Sequence, residues 1–230
     1  MLTHIFDDLL RLYGPQGWWP VTSYKGTNPT KTGRMLGYHP GDYTFPRNEA
    51  ERFEICVGAI LTQGTAWANA EQAVHKLYHA HVLSANGIPQ TSCATLAAAI
   101  KPSGYFNQKA RKLKAFAALY HELARSTPSR EALLTVWGIG KETADTIQLY
   151  AYGVPSFVVD TYTKRIFSNL ALVDPEAQYD DIKAFFEAGL PRDVPLYQEY
   201  HALLVEHAKR YYQPNQDYAS CPLFRTYTRP

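Results

Sequence analysis

The sequence predicts an all-α protein, and three observations lead to that prediction. Apolar residues recur at a spacing near 3.6 along most of the chain, as expected for amphipathic helices. Strand-like alternation is almost absent, and the one extended apolar candidate covers residues 154–159. Short turns, many of them containing Gly or Pro, separate the helical segments. We therefore expect helices joined by short connections, without internal repeats.

The predicted helices begin near the N-terminus, where Ile5, Leu9 and Leu12 share one face of a helix over residues 2–13. A Gly-Pro-Gln-Gly segment ends this helix, and residues 21–48, rich in Gly, Pro, Thr and Tyr, predict a long loop. The other predicted helices cover residues 49–61, 67–81, 95–100, 109–123, 129–136, 142–152, 161–170, 180–188 and 195–212. Gly153 stands where a glycine commonly follows a helix.

The composition is that of a folded protein. Of the 230 residues, 46% are apolar and 19% are charged, which excludes a disordered or highly charged chain. The formal net charge is only +2, so a nucleic-acid binder of this composition must concentrate its positive charge on one face. No apolar stretch is long enough to cross a membrane, and the acidic residues near the N-terminus do not fit a signal peptide. Three scattered cysteines favour a reducing compartment. We expect a cytoplasmic monomer, nucleoid-associated if bacterial, with no membrane partner.

The most informative segment covers residues 133–145, which read LLTVWGIGKETAD. A helix ends near Val136, a tight turn holds Gly138 and Gly140, and a second helix begins at Lys141. Two glycines two residues apart permit positive φ and a close approach of the backbone to a ligand. The free amides and the positive dipole end of the second helix suit an anion. For a short glycine pattern, the alternative is an ordinary corner between two helices.

Twenty residues after Gly140, Asp160 ends an apolar stretch and opens a predicted helix. Asp is a common N-cap, and this structural role is the simplest explanation of its place. A helix N-terminus also favours the ionised form of a carboxylate. Cleavage of a glycosidic bond needs such a carboxylate, because the sugar develops oxocarbenium character. The structural and the catalytic role are compatible.

Together these segments resemble the endonuclease III superfamily of DNA glycosylases, which carries a helix-hairpin-helix followed by a Val-Asp pair. Residues 61–65, LTQGT, look like the family's DNA wedge loop, and residues 104–110, GYFNQKA, look like its Gly-x-x-x-x-Lys-Ala segment. The resemblance covers residues 53–172 well. It implies two helical subdomains that flank a DNA-binding cleft. One is a six-helix, barrel-like domain over 53–152 with the hairpin at about 129–152, and the other is formed by residues 1–52 and 153–230.

The resemblance also implies roles for individual residues. Asp160 would be the catalytic carboxylate and Gln63 the DNA wedge. The partner would be double-stranded DNA containing a damaged base, with a monovalent cation possible at the hairpin carbonyls. The DNA phosphate would be held by Gly138, Gly140, Lys141 and Thr143. In the family arrangement, a positive cluster beside the wedge loop would contain Lys101, Lys109, Arg111, Lys112 and Lys114, which Lys164 and Arg165 would extend.

Two departures from the family pattern decide the expected subtype. Bifunctional members carry a nucleophilic lysine at the position of Glu142, and Lys141 stands one residue early, a rotation of about 100° around a helix. We therefore expect a monofunctional glycosylase that uses water as its nucleophile and has little lyase activity. Most members also hold an iron–sulfur cluster on four cysteines, whereas this tail contains Cys221 alone, so we expect no cluster and no other cofactor. The candidates to anchor the tail instead are Tyr211, Tyr218 and Tyr227.

Trp18, Trp19 and Pro20 resemble a segment that helps to form the base pocket in the 3-methyladenine DNA glycosylases of this superfamily. Aromatic planes replace the stacking that a flipped base loses, and they attract cationic alkylated purines. The structural alternative is that both tryptophans anchor the N-terminal helix on the core.

We therefore predict the release of alkylated purines such as 3-methyladenine. Two alternatives stay open: a glycosylase and lyase like endonuclease III, acting on oxidised pyrimidines or mismatches, and a non-catalytic DNA-binding protein. The last long helix also carries three polar side chains to which the sequence assigns no role: His201, His207 and Lys209.

Overall fold

The computed structural model describes residues 1–30, 36–123, 126–213 and 217–228, and across these residues it confirms the all-helical fold, without a strand. Residues 31–35 of the predicted loop lie outside the described residues. The α-helices are α1 (Leu2–Tyr13), α2 (Glu49–Leu61), α3 (Trp67–His79), α4 (Gly87–Gln90), α5 (Cys93–Ala99), α6 (Phe106–Leu123), α7 (Arg130–Leu134), α8 (Lys141–Thr146), α9 (Thr161–Asn169), α10 (Tyr179–Gly189), α11 (Val194–Tyr211) and α12 (Pro222–Tyr227). Short 3₁₀ turns cover Lys101–Ser103 and Tyr218–Ser220, and a π-helical turn, Ile147–Ala151, continues α8.

The helices agree closely with the periodic segments of the sequence. The bounds of α1 and α2 are as predicted, and the side chain of Asn48 caps α2 by accepting from the amide of Glu51. α3 ends two residues early, before His81, whose φ of 55° lies in the left-handed region. Helices α4 and α12 were not predicted, because four or six residues are too few to show a period. Residues 154–159 form neither a helix nor a strand, and the amide of Ser156 donates to the carbonyl of Val154 at 2.7 Å.

Two groups of helices meet at the π-helical turn. α2 packs against α3, α6, α8 and this turn, whereas α11 packs against α1, α9 and the same turn. α2 is the most deeply buried of the first group: ten of its side chains, from Glu51 to Leu61, are inaccessible. The division into two subdomains at residues 53–152 stays a prediction, but the contacts place the turn between the two groups.

The two ends of the described chain are held together. The hydroxyl of Tyr200 on α11 donates to the carbonyl of Leu2 at 2.9 Å, and the hydroxyl of Tyr227 on α12 donates to Asp8 at 2.8 Å. None of the described helices combines the length and the apolar character that a membrane crossing requires.

Candidate active site

A cleft of about 710 Å³ is lined by residues from both groups of helices. Its walls come from the loop after α1, the connection between α2 and α3, the face of α8, the start of α9 and the middle of α11. The cleft brings together most of the residues that the sequence singled out: Trp18, Trp19, Gln63, Glu142, Thr143, Asp160, His201 and Lys209.

Asp160 is the N-cap of α9, and 13% of its side chain is exposed in the cleft. The amide and the hydroxyl of Thr163 both donate to Oδ1, at 2.7 and 2.8 Å. The other oxygen, Oδ2, lies 3.7 Å from Nε2 of His201. Burial acts to raise the pKa of Asp160, but the contact with His201 and the donors of Thr163 outweigh it, so the pKa lies below its usual value. The carboxylate is therefore ionised at neutral pH.

The hairpin between α7 and α8 has the predicted turn, but its two glycines differ. Gly138 has φ of 86°, and an added Cβ would lie 2.5 Å from the side chain of Lys112. Gly140 has φ of −97°, so the expected positive φ was wrong there: this residue is the extended N-cap of α8. An added Cβ at Gly140 would meet open space. Gly140 therefore leaves free room in front of the helix.

Gln63 lies against the hairpin in this structure. Its amide nitrogen donates to the carbonyl of Gly138 at 3.0 Å and to the hydroxyl of Thr143 at 2.9 Å, and its oxygen accepts from Lys112. A DNA wedge at Gln63 stays a prediction and requires that these contacts open. The buried hydroxyl of Thr143 accepts from Gln63 and faces the cleft. A phosphate contact of Thr143 therefore falls to its backbone amide, and it stays a prediction.

Lys141 and Glu142, the two residues after Gly140, point in different directions, because successive residues of a helix are rotated by about 100°. The ammonium group of Lys141 binds the carboxylate of Asp180 on α10, and Lys141 does not line the cleft. Glu142 does line the cleft, where part of the residue reaches solvent while the protein surrounds its carboxyl group. Desolvation by the surrounding protein, together with the charge of Asp160, raises the pKa of Glu142 to about 7. At Glu142, where bifunctional members of the family carry a nucleophilic lysine, this chain has an acid instead.

The two tryptophans divide between the two predicted roles. The ring of Trp18 is partly exposed in the cleft, 5.7 Å from the ring of His201, with the ammonium group of Lys209 5.8 Å from its centroid. Trp19 is 5% exposed, and its ring contacts those of Trp67 and Tyr150 edge to face. Trp19 therefore belongs mainly to the core, at the floor of the cleft.

The placement of Pro20 in the base pocket was wrong. Pro20 is buried beside a separate small cavity and does not line the cleft. The physical reason is that the chain leaves the cleft after Trp19: the carbonyl of Trp19 lies 2.8 Å from the ring of His39, and Val21 donates its amide to Gly37.

Several residues of the predicted positive cluster serve the fold instead. Lys109 is buried, and its ammonium group donates to the carbonyls of Leu61 and Ser103 at 2.8 and 2.6 Å. Burial lowers the pKa of Lys109 to about 8. This lysine fixes the end of α2, where the Gln63 loop begins. Lys114, Lys164 and Arg165 also donate to backbone carbonyls.

Exposed aromatic side chains beside the cleft were not recognised in the sequence. Tyr105 is 71% exposed and its ring lies near Gly64 of the loop that carries Gln63. Trp137 is 51% exposed at the start of the hairpin, with the guanidinium group of Arg111 4.9 Å from its ring centroid. The sequence shows both as aromatic residues next to glycines, but exposure depends on the packing of the surrounding helices.

Asp145 is a second carboxylate that the sequence did not single out, and its contacts are structural. It is fully buried and accepts from Arg130, Ser156 and Tyr179 at 2.7 to 3.2 Å. These partners come from α7, from the segment before Asp160, and from α10. Asp145 therefore fixes the hairpin relative to the segment that delivers Asp160.

The tail around Cys221 is packed by aromatic rings. The thiol is buried, accepts from the amide of Phe224 and lies 3.8 Å from the hydroxyl of Tyr212. Of the three predicted anchors, Tyr218 stacks on Tyr212 and Tyr227 binds α1. Tyr211 instead contacts His207, because α11 ends there and the next residue turns inward. The phenol groups of these tyrosines cannot take the place of the four cysteine thiolates that an iron–sulfur cluster requires.

Residues 57–192 match the family described as the HhH-GPD superfamily of base excision DNA repair proteins. A protein of Methanocaldococcus jannaschii, described as a candidate DNA repair glycosylase, is 37% identical over 97% of this chain and 94% of its own length. Endonuclease III of Thermotoga maritima is 29% identical over 74% of this chain and 80% of its own length.

Two solved structures have a similar fold. The 3-methyladenine DNA glycosylase of Helicobacter pylori, bound to 1,N6-ethenoadenine, gives a TM-score of 0.67 at 26% identity, covering 91% of this chain and 94% of its own. A trapped covalent complex of endonuclease III with DNA gives a TM-score of 0.73 at 17% identity, covering 98% and 94% of the two chains. The second similarity is one of fold alone.

Proposed function

The chain belongs to the HhH-GPD superfamily as a base excision repair DNA glycosylase, and we propose that it hydrolyses the N-glycosidic bond of alkylated purines with Asp160 as its catalytic carboxylate. The observation that carries this proposal is the placement of Asp160. An ionised, nearly buried carboxylate lies in a cleft beside the hairpin, and that cleft is large enough for a flipped base.

The proposed chemistry follows from the charges in the cleft. As the bond from C1′ to the base breaks, the deoxyribose becomes positive and the base leaves with the electron pair. An anionic Asp160 in a site of low dielectric stabilises that positive charge. A water molecule then attacks C1′ and releases one proton to solvent, which leaves a hydroxyl group on C1′. Thr163 fixes Oδ1, so the carboxylate stays oriented during the step.

Trp18 supports the choice of an alkylated purine. Its ring is the exposed aromatic surface nearest His201 in the cleft, where it could stack on a flipped base. The Helicobacter pylori relative is named for 3-methyladenine and was solved with 1,N6-ethenoadenine, which is also a modified adenine. The relative's ligand favours a purine pocket, and the aromatic face of Trp18 favours a cationic, alkylated base.

Glu142 supports a hydrolytic rather than a lyase reaction. A lyase needs an amine that attacks the sugar and forms a Schiff base. The hairpin offers none to the cleft, since Lys141 binds Asp180 outside it. We propose little or no lyase activity on this ground.

A second candidate reaction, glycosylase with lyase activity, is favoured by one observation. Lys209 on α11 does line the cleft, and desolvation lowers the pKa of its amine, as a nucleophilic lysine requires. Its ammonium group lies over the ring of Trp18, so it reaches the proposed base position.

The two reactions are separated by incubating the protein with duplexes that carry single lesions. We expect release of alkylated purines without strand scission and without a covalent adduct after borohydride treatment. An adduct in the wild type that disappears in Lys209→Ala, but persists in Lys141→Ala, establishes the lyase reaction. Release only from duplexes with oxidised pyrimidines or mismatches would contradict the substrate proposal.

We further propose that the protein works without an iron–sulfur cluster, as a monomer on double-stranded DNA. The contacts of Cys221 with Tyr212 and of Tyr227 with Asp8 support an aromatic anchor for the tail. Assay of iron and sulfide in purified protein tests this, and stoichiometric iron would contradict it.

A further inference from the structure

His201 links Asp160 to the interior of the protein. It is 5% exposed, and its Nδ1 lies 2.8 Å from the hydroxyl of Tyr150 on the π-helical turn. That hydroxyl, itself buried, also lies 3.0 Å from the carbonyl oxygen of Gln198. Gln198, Tyr150 and His201 therefore form a buried chain that ends at the carboxylate of Asp160.

The hydrogen-bonding capacities of these groups determine which atom donates and which accepts in each contact. A carbonyl oxygen only accepts, so the Tyr150 hydroxyl gives its single proton to Gln198. The phenolic oxygen then accepts from His201, whose Nδ1 must carry a proton. If the ring is neutral, Nε2 presents a lone pair to the ionised carboxylate 3.7 Å away, and this contact is unfavourable. If the ring is protonated, the same contact is an ion pair.

We infer that Tyr150 holds His201 in the Nδ1–H form, so that His201 supports Asp160 only when Nε2 is protonated as well. His201 is then a positioning residue, which holds Oδ2 while Thr163 holds Oδ1. The contact of 3.7 Å is an ion pair rather than a hydrogen bond. Base release declines as the pH rises and Nε2 loses its proton, because Oδ2 then faces a lone pair instead of a cation and Asp160 is no longer held in place. This consequence rests on the catalytic role proposed for Asp160.

Other titratable groups surround this chain from every side. Glu142 on α8 and Asp160 at the start of α9 act on His201, Glu199 acts on Tyr150, and Lys209 shares the ring of Trp18 with His201. Glu142 has a pKa of about 7, in the range where histidine titrates. A pH profile must therefore be measured in a Glu142→Gln background.

The direct test is nitrogen NMR of the full-length protein labelled in its histidine rings, with the signals of His201 assigned from the His201→Gln spectrum. We expect neutral wild-type His201 to carry its proton on Nδ1. In Tyr150→Phe the proton should move to Nε2, which can then donate to Asp160. A neutral His201 protonated on Nε2 in the wild type overturns the inference, and so does a ring whose charge is constant between about pH 5 and 9.

Single-turnover release of a lesion base gives the functional readout. We expect the rate of base release to fall about tenfold from one pH unit below to one pH unit above the midpoint of the His201 titration followed by NMR. Tyr150→Phe should reduce that fall to less than about threefold. Without the Tyr150 hydroxyl, the neutral ring of His201 can carry its proton on Nε2 and donate to Asp160 at any pH. Tyr200→Phe, which removes another buried hydroxyl bonded to a carbonyl, is the matched control and should leave the fall unchanged.

In the Glu142→Gln background, an identical pH profile with and without Tyr150→Phe contradicts the inference. If the wild type releases no base from any lesion, the proposed function fails instead, while the tautomer of His201 is still decided by NMR.

Discussion

Asp160 combines a structural role, as a helix cap, with the catalytic role that we propose for it. Its Oδ1 caps α9 and its Oδ2 faces His201. The sequence could predict this residue because capping and the 20-residue spacing from Gly140 are visible along the chain. His201 could not be predicted, because its contact with Asp160 spans 41 residues and depends on how α11 packs. Nor could the sequence show that Thr143 faces the cleft, because this also depends on how the helices pack.

Trp18 and Trp19 should separate function from stability. Trp18→Ala removes a stacking surface worth about 1–3 kcal/mol, so we expect single-turnover release to fall about 5- to 150-fold, with a smaller loss of stability than in Trp19→Ala because the ring is partly exposed. Trp19→Ala removes a buried ring and should lower the free energy of unfolding by about 3–5 kcal/mol. Denaturation and excision assays on both variants check this. Full activity of Trp18→Ala would show that its ring does not hold the base.

The hairpin illustrates how elements are fixed by contacts that no local pattern reveals. Most helices of more than six residues followed from periodicity and caps, although α3, α5 and α6 differ from their predicted bounds by one to three residues. The anchor of the hairpin did not, because Asp145 reads as one more acid on a helix. Only the folded chain brings Arg130, Ser156 and Tyr179 to it.

Asp145→Ala should therefore disturb the site from a distance. Removing this carboxylate leaves several buried or partly buried donors without their shared acceptor, while Arg130 keeps its ion pair with Asp180, and should cost about 3 kcal/mol. We expect a loss of that size in denaturant unfolding, together with weaker binding to duplex DNA. Glu122→Ala, an exposed acid on α6, is the control and should change stability by less than about 1 kcal/mol. Equal effects of the two substitutions would show that Asp145 does not anchor the hairpin.

Across the whole molecule, α1 is joined to the C-terminal helices by buried side chains. His207 on α11 is fully buried, its Nδ1 lies 2.8 Å from the hydroxyl of Tyr13, and burial lowers its pKa to about 4. The sequence showed a histidine on an amphipathic helix but gave no sign of this partner 194 residues away.

The lowered pKa of His207 predicts that the folded protein loses stability in acid. Between pH 6.5 and 4 the unfolded chain binds a proton at this position and the folded chain does not, so stability falls as the pH drops through this window. The expected loss is on the order of 1–3 kcal/mol. Chemical unfolding at pH 7, 5.5 and 4.5 should show a smaller loss in His207→Gln than in the wild type, whereas the exposed His4→Gln should follow the wild type. Parallel curves for all three proteins would contradict this account.

The most direct measurement compares base release by the wild type and by Asp160→Asn on a duplex with one alkylated purine. Asn is as good an N-cap as Asp, so the variant should fold and bind the duplex normally. It lacks the negative charge, so release should fall by at least about 10²–10³-fold. If the variant releases the base at a rate within about tenfold of the wild type, the carboxylate at position 160 is not the group that drives the reaction.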